Sequence, residues 1–347
     1  MSKRIDLIKY VFAVCCLVLS LSYYSYAEDD DITDKQIEQH KESLDVNAME
    51  EKRSSLPEEL GIMIFADLQQ GYDNNVELSS ARLKDGFVQG STTLELDYAS
   101  SEFLEWKLGA DIFETTYYNY NKNNLLDISP FFGLDWEIMP GFIFKNKLAF
   151  DYFLYPNNKD STFIALIGST YLRHYILKEL YHELGYEYTY RWYTKRKISL
   201  PDNSEGDNTR KDDRSKLKYN IGYFVSDNLF VKLSNEFVEN DSNDRYQNYY
   251  DYWYYRVKPS VMYFFNDELY TSVSYSYRFL DYADRRNTED GNSTVSENTH
   301  MFNAAFYYDI NKNFTVGVTY SYSENFSNDP FQKYSGSVIS GGVYYTY

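Results

Sequence analysis

Apolar and polar residues alternate over long stretches of this chain. Leu104, Trp106, Leu108, Ala110 and Ile112 alternate with Glu105, Lys107, Gly109 and Asp111. Leu184, Tyr186, Tyr188, Tyr190 and Trp192 alternate with Glu183, Gly185, Glu187, Thr189 and Arg191. Phe314, Val316, Val318, Tyr320 and Tyr322 do the same with Thr315, Gly317, Thr319, Ser321 and Ser323. Successive strand residues point to opposite faces, so each segment has one apolar and one polar side. The pattern predicts strands over 61–73, 86–98, 103–117, 125–138, 142–155, 162–176 and 180–193. It continues over 217–225, 229–239, 250–264, 268–281, 298–310, 314–323 and 336–347. The count is even, and many segments reach the length that a tilted strand needs to cross hydrocarbon.

The connections sort into two kinds. Ser100-Ser101, Met139-Pro140-Gly141, Leu177-Lys178-Glu179, Ser226-Asp227-Asn228, Phe265-Asn266-Asp267 and Asn311-Lys312-Asn313 are short. Segments 74–83, 119–124, 156–161, 194–216, 240–249, 282–297 and 324–335 are mostly longer and more polar. Short turns at one end and long loops at the other mark a membrane barrel with its turns in the periplasm. The expected fold is therefore all-β: a transmembrane antiparallel up-and-down β-barrel of about 14 strands, with long extracellular loops. An even strand count leaves both termini on the turn side. Tyr188, Tyr190, Trp192, Trp253 and Tyr255 fall at loop ends and Trp136 at a turn end, where amphipathic rings favour the headgroup level.

The first 60 residues break this pattern. Lys3, Arg4 and Lys9 precede an apolar run from Val11 to Ser22 that is too short to span a bilayer, and Ser25-Tyr26-Ala27 offers a small-x-small cleavage site. Residues 1–27 read as a secretory signal peptide. Both cysteines, Cys15 and Cys16, lie in it, so the secreted remainder has no disulfide to stabilise it. Residues 28–60 are acidic and aromatic-poor, the composition of a disordered periplasmic segment or one with a short helix opened by Thr33 and Gln36. Residues 61–347 form the barrel domain. The chain is therefore expected in the bacterial outer membrane.

Composition narrows the choice of function. A mean hydropathy of −0.58 excludes a polytopic helical protein but not a barrel, whose lumen and loops are polar. Aromatics at 19% exclude a disordered chain, and a formal charge of −18 excludes non-specific nucleic-acid binding.

With the apolar face outward, the inward face can be listed. Gly71, Gly109, Gly133, Gly185, Gly222, Gly317 and Gly342 point inward with many Ser and Thr, and small residues are expected to leave space there. Charges segregate. Strands one to four carry Asp67, Glu95, Asp97, Glu105, Asp111, Asp127, Asp135 and Glu137 against Lys107. Strands eight to eleven carry Lys218, Lys232, Arg256, Lys258 and Arg278 against Glu236 and Glu268. In a cylinder of this size the third strand faces the tenth, so the two arcs set a field across the lumen, strengthened by low-dielectric walls. The expected site is a pore with Asp67, Glu95, Glu105, Asp111, Asp127 and Asp135 on one arc and the five bases on the other. Arg256 and Arg278 face Asp111 and Asp127.

Catalytic patterns are not evident. His40, His174, His182 and His300 have no triad spacing to a Ser or Asp, there is no phosphate loop or dinucleotide fingerprint, and no metal or cofactor is expected. The basic stretch from Lys195 to Lys216 is suited to lipopolysaccharide phosphates, and the Asn- and Asp-rich loops 240–249 and 325–329 offer oxygen ligands of the Ca²⁺ kind; solvated loop tips account for both.

Two short motifs resemble known ones. The chain ends Gly342-Val343-Tyr344-Tyr345-Thr346-Tyr347, with Val343, Tyr345 and Tyr347 on one face. This resembles the C-terminal signal of bacterial outer-membrane proteins, which implies the barrel assembly machinery as a biogenesis partner. Gly71-Tyr72-Asp73-Asn74-Asn75-Val76 resembles a feature of the β-barrel porin families, and the segment is also similar to the barrel part of surface lipoprotein assembly modulators, which implies fourteen strands. The expected function is a porin-like channel for small hydrophilic solutes, in contact with outer-membrane lipid and lipopolysaccharide. The alternatives are an assembly or export barrel for surface proteins and a structural or adhesive surface barrel.

Overall fold

The computed structural model describes residues 60–246 and 248–347; the predicted signal peptide and nearly all of the acidic segment lie outside the described residues. The strands are β1 (Leu60–Asp73), β2 (Asp85–Ser101), β3 (Leu104–Tyr117), β4 (Leu125–Met139), β5 (Phe142–Leu154), β6 (Phe163–Tyr175) and β7 (Leu180–Ser199). They continue with β8 (Glu205–Ser226), β9 (Leu229–Ser242), β10 (Tyr252–Phe264), β11 (Leu269–Arg286), β12 (Thr294–Asp309), β13 (Phe314–Ser327) and β14 (Tyr334–Thr346). Each strand pairs antiparallel with the next, and β1 pairs with β14 from Phe65↔Thr346 to Asp73↔Val338, so the sheet closes on itself. Closure leaves no sheet edge, which is what a sheet in lipid requires.

Every predicted strand exists. The differences lie at the loop ends. Segment 194–216, expected as a loop, is mostly a continuation of β7 and β8 around a tip at 200–204, and β11 and β12 likewise extend to Arg286 and from Thr294. Beyond the lipid both faces of a hairpin are wet. The alternation that reveals a strand in sequence therefore fades while the backbone ladder goes on, here through Lys197↔Thr209 and Ser199↔Glu205.

The outward face is apolar all the way round. Leu68, Leu108, Phe132, Leu148, Leu184, Leu217, Phe237, Phe306, Val318 and Ile339 are among its exposed residues. A belt this continuous is not tolerated in water and defines a lipid-facing surface. The shortest strands have 13 residues. At about 3.3 Å per residue and a tilt of about 45°, such a strand rises about 30 Å, the thickness of the hydrocarbon layer. Outward tyrosines near the loop rim give their hydroxyls to outward polar groups: Tyr255 to Asn235 at 2.7 Å and Tyr277 to Asn298 at 2.6 Å. Pro130 and Pro259 also sit in mid-strand. Each lacks an N–H, and the ladder skips there, between Ile128 and Phe131 towards β5 and between Val257 and Ser260 towards β11.

The Gly71–Val76 motif fastens the loop end of the β1–β14 seam. The Asp73 carboxylate accepts the Asn75 N–H at 2.8 Å, and the Asn75 amide donates to the Ser79 and Ser335 carbonyls at 2.8 and 2.9 Å. Asn74 donates from Nδ2 to Ser337 Oγ at 2.7 Å and accepts the Ser337 N–H at 2.7 Å, while Val76 is buried with Phe87, Tyr117 and Val338. The motif is therefore a clasp that holds the first loop to the last strand. At the other end, Val343 and Tyr347 are exposed on the outward face and Tyr345 packs on Phe314, with ring centres 5.1 Å apart.

Candidate functional site

Strand pairing puts one parity of each strand into the lumen. Asp67 pairs with Ser91, Thr93 with Asp111, Glu95 with Gly109, Glu105 with Asp135 and Phe113 with Asp127, so the acids of the first four strands share the inward face. On the far side Lys218 pairs with Glu236, Glu236 with Arg256, Ser234 with Lys258, Lys232 with Ser260 and Arg256 with Arg278, which places the five bases on the same inward face.

Inside each arc the charges meet near neighbours. Lys107 Nζ lies 3.8 Å from Glu95, 3.9 Å from Glu105 and 3.6 Å from Asp135. Two further lysines enter this arc from β5: Lys145 at 3.8 Å from Asp135 and Lys147 at 3.4 Å from Asp111. The acidic arc is therefore less one-sided than strands one to four alone imply, because the fifth strand brings its own bases. That signal was present in the alternation of Ile143, Lys145 and Lys147 with Phe144, Asn146 and Leu148. Asp67 accepts from Ser91 and from Gln69. Asp127 is buried.

The basic arc is organised by two carboxylates. Glu187 holds Lys216 at 2.7 Å and Lys218 at 3.8 Å, and Glu236 holds Arg256 at 2.9 Å while accepting from the Tyr254 hydroxyl at 2.7 Å. Arg278 donates to Thr299 at 3.2 Å. Arg256 and Asp111, expected to face each other across the lumen, thus each have a partner on their own side of the wall. Between the arcs Arg173 pairs with Glu183 at 2.8 Å.

The inward glycines do not leave the space expected of them. Gly71 pairs with Phe87, Gly109 with Phe131, Gly185 with Tyr171, Gly222 with Tyr181 and Gly317 with Tyr307. In each pair the ring lies against the glycine so closely that an added Cβ would sit 2.1–2.6 Å from a ring carbon. The glycines are receptacles for cross-strand rings that lie along the wall. A large inward ring needs somewhere to go other than the water path, and an opposing Cα–H provides it.

A third sector differs from both arcs. From β11 to β14 the inward face carries Ser272, Ser274, Ser276, Asn303, Thr319, Ser321, Ser323 and Ser340, with the buried rings of Tyr270, Tyr307 and Tyr344 towards the turn end. Thr319 and Ser340 share a hydrogen bond at 2.7 Å, Ser340 donates to Gln69 at 2.9 Å, and Thr299 donates to Asn325 at 2.7 Å. Alternation turns the hydroxyls inward but does not show that they form one sector.

The loop rim is tied by arginine on tyrosine. Arg210 stacks 3.3 Å over Tyr250 and 4.7 Å over Tyr193 while holding Asp212 bidentately at 2.8 and 2.7 Å. Arg285 covers Tyr249 at 3.9 Å. The Asx-rich segments are also engaged: Asp329 accepts the Phe331 N–H at 3.0 Å and the Thr288 hydroxyl at 2.7 Å. Of the histidines, His174 and His182 share a hydrogen bond at 2.9 Å on the outward face and His300 meets Tyr275 at 2.6 Å there. His40 lies outside the described residues. Among the described residues no group of three or more His, Cys, Asp or Glu is arranged to hold a metal ion.

A closed fourteen-strand cylinder with an apolar outside and a charged, hydroxyl-bearing inside is a transmembrane β-barrel of the outer-membrane type. Its fold is similar to that of OmpT, an outer membrane protein of Vibrio cholerae, in a loop L8 deletion mutant: 9% identity, 84% of this chain and 100% of that one covered, TM-score 0.51. It is also similar to the outer membrane channel DcaP of Acinetobacter baumannii, with 11% identity, 83% of this chain and 97% of that one covered, TM-score 0.50. No family model matches the chain, and no curated protein matches it. At such identities the likeness concerns the fold.

Proposed function

We propose that the protein is an outer-membrane channel for the passive diffusion of small hydrophilic solutes through a charge-polarised lumen. One observation carries the reading: charged side chains line the inside of a barrel whose outside is apolar, and the Asp111–Lys147 pair keeps 39% and 46% of its side-chain surface accessible. Groups so placed face water enclosed by lipid. Excess acid towards β1–β4 and excess base towards β8–β11 orient a dipolar solute as it passes, and their field is strengthened by low-dielectric walls set in lipid. No group of the lumen is asked to make or break a bond.

On this reading residues 1–27 are removed on export, the barrel assembly machinery reads the last strand through Val343, Tyr345 and Tyr347, and lipopolysaccharide meets the loop rim. The fold shared with DcaP, itself an outer membrane channel, supports the class but not a solute. The test is planar-bilayer recording with the purified mature chain. Discrete conductance steps, reduced by small uncharged solutes that enter the lumen and unaffected by large ones, are expected. A protein that inserts and stays silent overturns the reading.

A further inference from the structure

Strand pairing sets His174 of β6 directly opposite His182 of β7. Both share the outward parity with Leu172 and Leu184, which are exposed to lipid. His174 is the next-to-last residue of β6 and His182 the third of β7, on either side of the turn that holds Lys178 and Glu179. A tilted strand rises about 2.3 Å per residue, so the pair lies within about 5 Å of the strand ends. That is nearer the turns than Trp136, three residues from the end of β4, whose kind of ring marks the headgroup level. Both imidazoles are half-buried, so water reaches them. His174 Nδ1 lies 2.9 Å from His182 Nε2. The His174 ring is stacked on Phe142 with centres 3.9 Å apart and planes 11° apart, and His182 meets Tyr219 edge-on at 6.1 Å. A rim position that needs only an amphipathic ring is served by Trp or Tyr. Two imidazoles face to face add converging donor atoms.

We propose that His174 and His182 form a chelating site for a divalent transition-metal ion, Cu²⁺ above the others, at the turn-side rim of the barrel's outer surface. The spacing of the two nitrogens selects the ion. Two ligands about 2.0 Å from one ion sit about 2.8 Å apart when adjacent in a square plane and about 3.3 Å apart at a tetrahedral angle. The observed separation fits the square plane of Cu²⁺, whereas tetrahedral Zn²⁺ would have to part the rings. Cu²⁺ also heads the affinity order for imidazole nitrogen. The register and the Phe142 stack place both donors before an ion arrives, so little ordering is left to oppose binding. The torsion about the imidazole Cβ–Cγ bond is broad, so His182 can aim its lone pair at an ion shared with His174. Whichever ring donates the present hydrogen bond carries its N–H on the far nitrogen once the ion is bound. Each ring then gives one lone pair, and no net proton is released. Water fills the remaining positions, as in an open site, in keeping with the lack of a third His, Cys, Asp or Glu arranged with the pair among the described residues. The site is on the outer surface and stands whether or not the barrel conducts.

The test is Cu²⁺ binding to the untagged chain from residue 28 onward, folded in detergent. The chain has four histidines, so a His40→Gln/His300→Gln background leaves only this pair. Calorimetry should count one ion per chain, and electron paramagnetic resonance should show two imidazole nitrogens on it. His174→Gln and His182→Gln should each weaken binding by about tenfold or more, because a chelate loses the advantage of a second ligand already at hand. Each should also leave a single nitrogen in the spectrum. The variant with both changes gives the baseline set by the acidic segment and the chain's amino terminus. Affinity unchanged in either single variant, or one nitrogen or none in the protein with both histidines, overturns the proposal. The spectrum is read with the pair intact, so it decides even if a glutamine variant fails to fold.

Discussion

The β2–β5 wall and the β11–β14 wall belong to one sheet with one backbone pattern, yet they do opposite things with their inward side chains. The first carries long charged groups tied into a network around Lys107, with aromatic rings laid over glycine. The second carries hydroxyls that bond laterally, as Thr319 does to Ser340, beside the Tyr307 ring over Gly317. In a cylinder of fixed strand number the backbone sets the bore, so the water path is shaped by how far the side chains of each sector reach inward. On the proposed function the charged wall is where a solute meets a field.

The contrast can be broken most severely at Lys107. Lys107→Met leaves Glu95, Glu105 and Asp135 with no cation of β3 among them. Orphaning carboxylates costs about 3–5 kcal/mol in a dry interior. The 28% exposure of the Lys107 side chain and water in the lumen reduce this to about 2 kcal/mol. Urea unfolding in lipid vesicles measures it, and no change would mean that the acids are paired elsewhere. Next comes Gly185→Ala. A Cβ there would lie 2.1 Å from Tyr171 Cδ1, so the ring must swing off the wall and away from Lys218 and Glu187, at a cost of about 1–2 kcal/mol. Tyr171→Ala in the same background should recover part of the loss, and failure to do so would show that the glycine is not a receptacle. The hydroxyl wall should be more tolerant: Thr319→Val removes one neutral hydrogen bond while Ser340 still donates to Gln69, and should cost no more than about 1 kcal/mol.

The most local effect lies outside the membrane, in the loop 243–251. Asp251 is pushed up to about 6, first by burial and further by Asp241, Asp212 and Asp284, against the stabilising Ser242 N–H at 2.7 Å. The folded loop therefore binds a proton that the unfolded chain, with an ordinary carboxylate, has lost by about pH 4. Between those values the unfolded state holds fewer protons, so loop stability is greatest below about pH 4 and declines as pH rises towards 6. Amide exchange in 243–251 should be slower at pH 4 than at pH 7 relative to intrinsic rates, and Asp251→Asn should remove the difference. An unchanged pH dependence in that variant would place the titration elsewhere.

Much of this was legible in the alternation. Period two located all fourteen strands because lipid outside and water inside impose opposite demands on successive residues. It failed where that demand ends: Lys195 to Lys216 has no lipid beside it, and a hairpin there looks like a loop. It gives the face of a residue but not its neighbours, since Lys147 reaches Asp111 two strands away across the Phe131 ring, and the ring of Tyr171 over Gly185 depends on register. Spacing within a strand gives the face; only pairing gives the contact.

The central claim, that the two charged arcs border one water path, is tested most directly by the zero-current potential of single channels in a KCl gradient. Asp111→Asn should shift it towards anion preference and Arg256→Gln towards cation preference, each by a few-fold in permeability ratio, and the double variant should return near the starting value. Shifts of the same sign, or none in a conducting barrel, would contradict a lumen polarised by these arcs.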